Sequence, residues 1–575
     1  MNHTRLIAFL GLASLQSLAS PAWAQVVPPD AGQLLNEQRR TTPPPPPERG
    51  DNLVQAPLPA EAEDGAFKAR IERVRFSGDE DLVEAAVLQE LVADARGREL
   101  THAQMRALAQ RVSAQLQARG YLLARAYLPS QDLSDGELEI AILAGRLQSA
   151  PGRVQVLADD PVLAARLGAI ADAALPPGAV RNDQLERALL LINDVPGVHA
   201  RATLDKGAEP GTSRMLVSAE SGRRWAAGAT LDNFSNRYTG QWRRGVWASL
   251  NRPLQREDLL GVSLNDSGGS RVLGVNYSLG LGARGWRANL AASWMDYEVG
   301  GEFKPLELSG DARTFSAGVS YPLLRSRERN LWFSTDVEQR RLTDEALGQT
   351  LRERRVDKVT AMLSGGAWDD WMGGGYNGMH VGVVSGDLDL GNAIDRQADA
   401  ASARTAGSFT KLLWRVERSQ SLPRLPDWGL YLGANGQVGS KNLDSSEKFL
   451  LGGPTGVRGT AVGEASGDSG WLVNAELRRD LRLADGVRAQ ALLFVDHGHV
   501  RQHIDPWPGS VLPWAGNQYE LSSIGLGLNV QGERWALRSA WAHRLGDNPG
   551  RSAGGFNADG RKRDQYLWLQ LSLRL

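Results

Sequence analysis

From about residue 222 to the carboxyl terminus, apolar and polar side chains alternate in segments of roughly ten residues separated by Gly, Asn, Asp and Pro. This is the period-two signature of strands whose two faces meet different surroundings. Trp286, Ala288, Leu290, Ala292 and Trp294 form an apolar face bounded by aromatics, and Arg287, Asn289 and Ser293 form the opposite, polar face. A membrane barrel would turn the first face to lipid and the second to a polar lumen, whereas a soluble sandwich would turn the apolar face inward. The last segment leans to the barrel: Leu567, Leu569, Leu571, Leu573 and Leu575 share one face up to the final residue, opposite Tyr566, Trp568, Gln570, Ser572 and Arg574. Segment starts near residues 225, 242, 259, 271, 286, 313, 331, 357, 378, 407, 428, 471, 488, 522, 534 and 565 predict about sixteen antiparallel strands, an even number as bacterial barrels require.

Upstream the period changes. Residues 67–220 read as two units with the same order, β-α-α-β-β. In the first, Phe67 to Phe76 alternates, Leu82 to Ala95 and Ala103 to Arg119 have helical spacing, and Tyr121 to Leu128 and Glu137 to Leu143 alternate again. The second runs through Gly152 to Leu157, Pro161 to Ala174, Asn182 to Asn193, Val198 to Leu204 and Arg214 to Glu220. Before them, residues 30–40 are patterned for three helical turns with Asp30 as N-cap and Arg39 and Arg40 at the negative end, and Pro43 to Pro47 imposes polyproline II. Arg5 followed by the apolar run Leu6 to Leu18 and by Ala22-Trp23-Ala24 predicts a secretory leader over residues 1–24.

Composition narrows the choice. Of 17 tryptophans, Trp23 lies in the leader and 16 follow residue 220, as an interfacial aromatic girdle demands. Past the leader there is no apolar run of helix-spanning length and mean hydropathy is −0.33, so a membrane-crossing structure must be a closed barrel. With the leader's one arginine removed, 64 basic residues face 66 acidic ones, a charge of −2 that gives no support for nucleic-acid binding. The chain has no cysteine, which excludes disulfides and thiolate metal sites. His497, His499 and His503 near Asp496 lack a ligand-like arrangement, Gly452 to Gly456 lacks the Lys-Ser/Thr ending of a phosphate loop, and no nucleophile, base and orienting acid cluster in sequence. No catalytic site, cofactor or metal is expected.

The richest local signal is Gly452 to Gly470, GGPTGVRGTAVGEASGDSG, which carries one cation, Arg458, in a long connection between strands 11 and 12. Connections of that length are functional or disordered. On strand 13, Arg488, Gln490, Phe494 and Asp496 share one phase, and Ala489, Ala491, Leu493 and Val495 the apolar one, so Asp496 faces the lumen within reach of an infolded loop. Glu476 and Arg478 face the lumen from strand 12 by the same alternation. GPTGVRGTAVGEASGD followed by FVDHG resembles the loop-and-strand signature of two-partner secretion transporters, the hemolysin and filamentous-hemagglutinin secretion family within the wider group of outer-membrane barrels that carry POTRA domains.

That resemblance covers nearly the whole mature chain and implies a domain plan: residues 25–66 a plug helix and linker, 67–148 and 149–221 two periplasmic POTRA domains, and 222–575 an outer-membrane barrel with a pore-inserted loop over 438–470. It implies that Val457, Arg458, Gly459, Phe494, Asp496 and Gly498 form the motif at which loop and wall meet. The function implied is export of an unfolded hemolysin- or adhesin-type exoprotein. The further partners implied are outer-membrane lipid, the barrel assembly machinery and periplasmic chaperones. The alternatives are an outer-membrane insertase of the same superfamily and, with less in its favour, a diffusion porin, which leaves residues 67–220 unexplained. Two positions depart from the family pattern: Thr460 stands where an aromatic commonly follows the Arg-Gly pair, and Leu575 stands where a terminal aromatic is usual.

Overall fold

In the computed structural model, which describes residues 27–40, 54–55, 67–149, 152–175, 178–209 and 212–575, the first element among the described residues is a capped helix. Asp30 accepts a hydrogen bond from the Gln33 backbone at 2.8 Å and opens α1, Ala31–Arg39. Ala31, Leu34 and Leu35, at i, i+3 and i+4, lie on one face and pack with Tyr238, Met295, Tyr297, Phe303 and Leu342 of the barrel. The predicted leader and the proline run lie outside the described residues. Val54–Gln55, β1, pairs in parallel with a strand of the second unit described below.

The first periplasmic unit comprises β2 Lys68–Ile71, β3 Arg73–Gly78, α2 Ala85–Leu91, β4 Arg98–Thr101, α3 His102–Ala118, β5 Arg125–Tyr127 and β6 Glu137–Leu143. Its sheet order is β3-β6-β5, with β2 and β4 as a separate pair. Thr101 and Gln104 form a capping box that starts α3, and Met105, Leu108, Ala109, Val112 and Leu116 line its buried face. Three sequence expectations change here. The strand over 67–76 is broken at Glu72, whose backbone donates to Gly136 O. The helix over 82–95 shrinks to α2 between two 3₁₀ turns, with Leu88 fully buried and Val87 and Leu91 half-buried against the core. The strand over 121–128 keeps three residues, since Tyr121 to Ala124 make a hydrogen-bonded turn instead.

The second unit contains β7 Arg146–Leu147, β8 Val154–Leu157, α4 Pro161–Ala174, α5 Asn182–Asn193, β9 Val198–Lys206 and β10 Thr212–Ser221. Pro161 sits in the first turn of α4 behind the Asp160 cap. Leu185, Ala188, Leu189 and Ile192 of α5 meet Leu163, Leu167 and Ile170 of α4 over the alternating inward residues of β9 and β10. This unit is bolted to the barrel: Asp194 accepts from Arg325 at 2.7 and 3.0 Å, Glu186 from Arg327, and Arg187 donates to Pro322 O at 2.9 Å.

The barrel's first eleven strands are β11 Trp225–Asp232, β12 Arg243–Asn251, β13 Asp258–Asp266, β14 Ser270–Leu281, β15 Trp286–Glu298, β16 Ser309–Arg325, β17 Arg329–Ala346, β18 Gln349–Asp369, β19 Gly375–Leu390, β20 Gly407–Ser421 and β21 Trp428–Gly439. A helix α6, Ala393–Ala400, caps the β19–β20 connection. The long loop carries two short strands, β22 Phe449–Leu450 and β23 Ser466–Gly467. It is followed by β24 Ser469–Ala484, β25 Val487–Arg501, β26 Gln518–Gln531, β27 Trp535–Leu545 and β28 Gln565–Arg574. β22 and β23 pair with each other, and the other sixteen strands close antiparallel from β11 to β28. Register sets the faces: Leu290, Leu493, Val495 and Leu567 are exposed on the outside, and Arg340, Arg354 and Asp496 are buried within. β16, β17, β18, β19, β24 and β26 begin two or more residues earlier than the alternation indicated, at 309, 329, 349, 375, 469 and 518.

Candidate functional site

Between β21 and β24 the chain folds back into the lumen. Its stem is held by ion pairs to the wall. Glu447 takes Lys411 Nζ at 2.7 Å, Lys358 Nζ at 2.9 Å and Arg340 at 3.0 Å, while Asp444 takes Arg354 at 2.7 Å. Below the stem the loop turns on itself, with Leu451 N donating to Ala465 O and Val457 N to Leu451 O. Val457 is fully buried against Leu451, Leu472, Val500, Tyr519 and Leu521.

Arg458 follows Val457 and reaches the inner wall. Asp496, wholly buried on β25, accepts from Arg458 Nη2 at 2.6 Å, from its Nε at 2.9 Å and from its backbone N at 3.0 Å. Asn474 and Ser523, on the strands either side, donate to the same carboxylate at 2.8 and 3.0 Å. The other arm of the guanidinium meets Glu476 at 2.8 Å, and Glu476 is shared with Arg478 at 2.7 Å. The guanidinium carbon lies 3.4 Å from the centre of the Phe494 ring. Arg458 is therefore held on its charge by two acids and on its face by an aromatic. A water-excluded pair of this kind is specific in geometry, and losing one partner leaves an uncompensated buried charge.

The two motif glycines permit the approach. A Cβ on Gly459 would sit 2.6 Å from Ser523 Cβ, and one on Gly498 would sit 2.3 Å from Leu451 Cδ1. Thr460, in place of an aromatic, turns its hydroxyl back to donate to Val457 O at 2.7 Å. Aromatic cover comes instead from the last strand. Trp568 donates its indole N–H to Arg458 O at 2.8 Å and stacks on Tyr566 at 5.7 Å, beside Ala461.

The structure thus brings Val457, Arg458, Gly459, Phe494, Asp496, Gly498, Glu476 and Arg478 into one constellation. His497 and His499 are elsewhere, on the outward phase of β25 beside Trp471 and Glu520. Sequence reasoning missed Asn474, Ser523 and Trp568. Inward phase on β24, β26 and β28 was a signal for each, but alternation alone does not set a residue's height along the pore.

The helix α1 completes the site from the other side. Arg40 donates to Gly452 O at 2.8 Å and Thr455 O at 3.2 Å, so the helix end touches the loop that carries Arg458. At the helix start, Asp30 accepts from Arg354 at 3.1 Å and from Ser445 Oγ at 2.8 Å, and Asp344 accepts from Ala31 N at 2.8 Å. Arg354 therefore binds helix, stem and wall together. With helix and loop in place, the space left beside Arg458 is about 520 Å³, lined by Arg40, Arg415, Tyr431, Glu476, Arg478 and Trp568.

Comparison with known proteins gives concordant matches. A family model described as "Haemolysin secretion/activation protein ShlB/FhaC/HecB" matches residues 211–529, and one described as "POTRA domain, ShlB-type" matches 69–145. The heme/hemopexin transporter protein HuxB of Haemophilus influenzae is 26% identical over 438 residues, 76% of either chain. The outer membrane transporter CdiB of Dickeya dadantii is 26% identical over 488 residues, 81% of this chain and 82% of that protein. Among solved structures, CdiB from Escherichia coli superposes with a TM-score of 0.69 at 18% identity, covering 99% of this chain and 98% of that one. CdiB from Acinetobacter baumannii gives 0.60 at 15%, covering 99% and 97%. At these identities the two structures speak for the fold alone.

Proposed function

The chain belongs to the ShlB/FhaC/HecB haemolysin secretion/activation family, and from that premise we propose how its parts divide the work of passing a secreted exoprotein across the outer membrane. The family is one of outer-membrane transporters with a secreted protein partner, and translocation is favoured over insertion of other barrels. In our reading both periplasmic units are POTRA domains, expected over 67–148 and 149–221, with β7 at the end of the first stretch joining the second unit's sheet through β10. They receive an extended segment of a hemolysin- or adhesin-type client by edge pairing or in an apolar groove, a mode in which backbone bonds supply affinity with little demand on sequence. The client then passes through the lumen once α1 has left it. Loop residues 438–470 remain, and Arg458 fixes their tip to Asp496 and Glu476 so that the path has a defined wall. Export of the chain itself uses the leader over 1–24, periplasmic chaperones and the barrel assembly machinery, which reads the closing strand β28.

The observation that carries this reading is a lumen filled by two separable parts, α1 and the loop, each held by polar contacts and one small apolar cluster of its own. A diffusion porin has no use for such a filling. The test is co-expression with a candidate client and measurement of its release into the medium. Removal of residues 151–220 should abolish release while the barrel still inserts. Normal release from that deletion would refute the role given to the second unit.

A further inference from the structure

The outside of the barrel carries a feature that translocation does not use. Near the periplasmic ends of β17 to β21 the wall has a groove of about 660 Å³, within the range of small-molecule sites. Cross-strand register places Leu331, Gly365, Met379, Val416 and Ala434 in one row. Gly365 and Ala434 are its floor. Met379 and Val416, 39 and 49% exposed, are its flanks and mark the row as outward. The next row toward the periplasm runs Arg329, Ala367, Asn377, Arg418 and Leu432, so the groove ends on polar groups.

Those groups are arranged as a charge pair. Arg418 meets Asp369 at 2.7 and 3.0 Å, its Nη1 donates to Asn377 Oδ1 at 2.6 Å, and its Nε and Nη2 donate to Gln420 Oε1, so that it holds Asp369 in place with all its donors engaged. Its guanidinium lies 5.0 Å from the Trp371 ring, and Trp371, 63% exposed in the β18–β19 turn, is a residue of the interfacial belt. Arg329 flanks the other side and forms no ion pair among the described residues. A charged side chain on the lipid face is tolerated only close to the interface, which fixes the height of the pair at headgroup level. An apolar slot leading to the Arg329 guanidinium on one side and the exposed edge of the Asp369 carboxylate on the other is complementary to a lipid whose acyl chain fills the slot, whose phosphate accepts from Arg329, and whose ammonium lies against Asp369. Basic pockets on membrane proteins take phosphate headgroups in this way.

We propose that this outward groove binds one zwitterionic aminophospholipid, phosphatidylethanolamine, from the periplasmic leaflet. The inference rests on the outer-membrane placement and on nothing in the translocation reading. Its test is native mass spectrometry of the full chain, delipidated in detergent and titrated with phosphatidylethanolamine or phosphatidylglycerol, with heat-modifiable migration as the check on folding. The wild-type chain should bind one phosphatidylethanolamine about tenfold more tightly than phosphatidylglycerol. Ala434→Trp, which fills the floor, should cut that binding about tenfold. Combining Arg418→Gln with Asp369→Asn should make the two lipids equivalent, a readout that does not depend on repacking at Ala434. Equal binding of both lipids by the wild type, undiminished binding by Ala434→Trp, or a second copy of the chain covering the groove in place of lipid would overturn the proposal.

Discussion

Arg458 owes its setting to three residues that cannot move independently: Asp496 takes its Nε edge, Glu476 its other arm and Phe494 its face. Replacing either Arg458 or Asp496 by alanine should cost about 3–5 kcal/mol of local stability, since each leaves a shielded charge unmatched. Secretion should fall strongly in both while the protein still reaches the membrane. The double replacement should lose less than the sum of the two, as coupled residues do; simple addition of the losses in a secretion assay would place Arg458's role elsewhere. Trp568→Phe removes the hydrogen bond to Arg458 O together with part of a buried ring packed on Tyr566 and Phe234 and should cost about 2–3 kcal/mol, read as a lower unfolding transition with export largely kept. At this scale the acid, the cation and the glycines were legible, because alternation assigns a phase and glycine marks close approach. Asn474 and Ser523 were not, since phase says nothing of which inward residues share a height.

The helix α1 is the element with the clearest separable role. Its nonpolar face is short, Ala31, Leu34 and Leu35, and its ends are held by Arg354 and by the carbonyls of Gly452 and Thr455, contacts that can be exchanged for water. Deleting residues 30–40 should raise single-channel conductance without impairing assembly; unchanged conductance would contradict a plugging role. Glu37, on this helix, is pushed up to about 7 by burial, against the lowering effect of Gln33, Asn236 and Arg40 and with a small raising effect of Asp30. A carboxyl raised above its free value favours the seated helix at low pH, and that contribution is lost as pH climbs through 7. Channel openings should therefore become more frequent between pH 5 and pH 7 and level off above it, and Glu37→Gln should flatten the dependence. Among the strands, β18 shows where pattern reading fails. Its upper outward positions are Glu353, Arg355 and Asp357, so the apolar half of the alternation is missing over a stretch that is nonetheless fully paired with β17. A hairpin that rises above the lipid keeps its hydrogen bonds and drops the signature of the bilayer.

Over the whole molecule, sixteen strands closed from β11 to β28 leave no free edge in the wall, which is what a membrane requires of a sheet. Purified protein should accordingly migrate faster on gels before boiling than after; a single mobility would argue against a closed barrel. The architecture was legible from the sequence because the three regions have different periods, helical, mixed and strictly alternating. The join between them was not: Asp194, Glu186, Arg325 and Arg327, which lock the second periplasmic unit to the barrel rim, belong to no motif. The occupied lumen has a kinetic consequence. If α1 must leave before a client enters, as proposed above, the traffic through one barrel has a ceiling set by how often the helix leaves. Export should rise in proportion to client supply when clients are scarce and then level off at a rate that belongs to the gate rather than to the passenger.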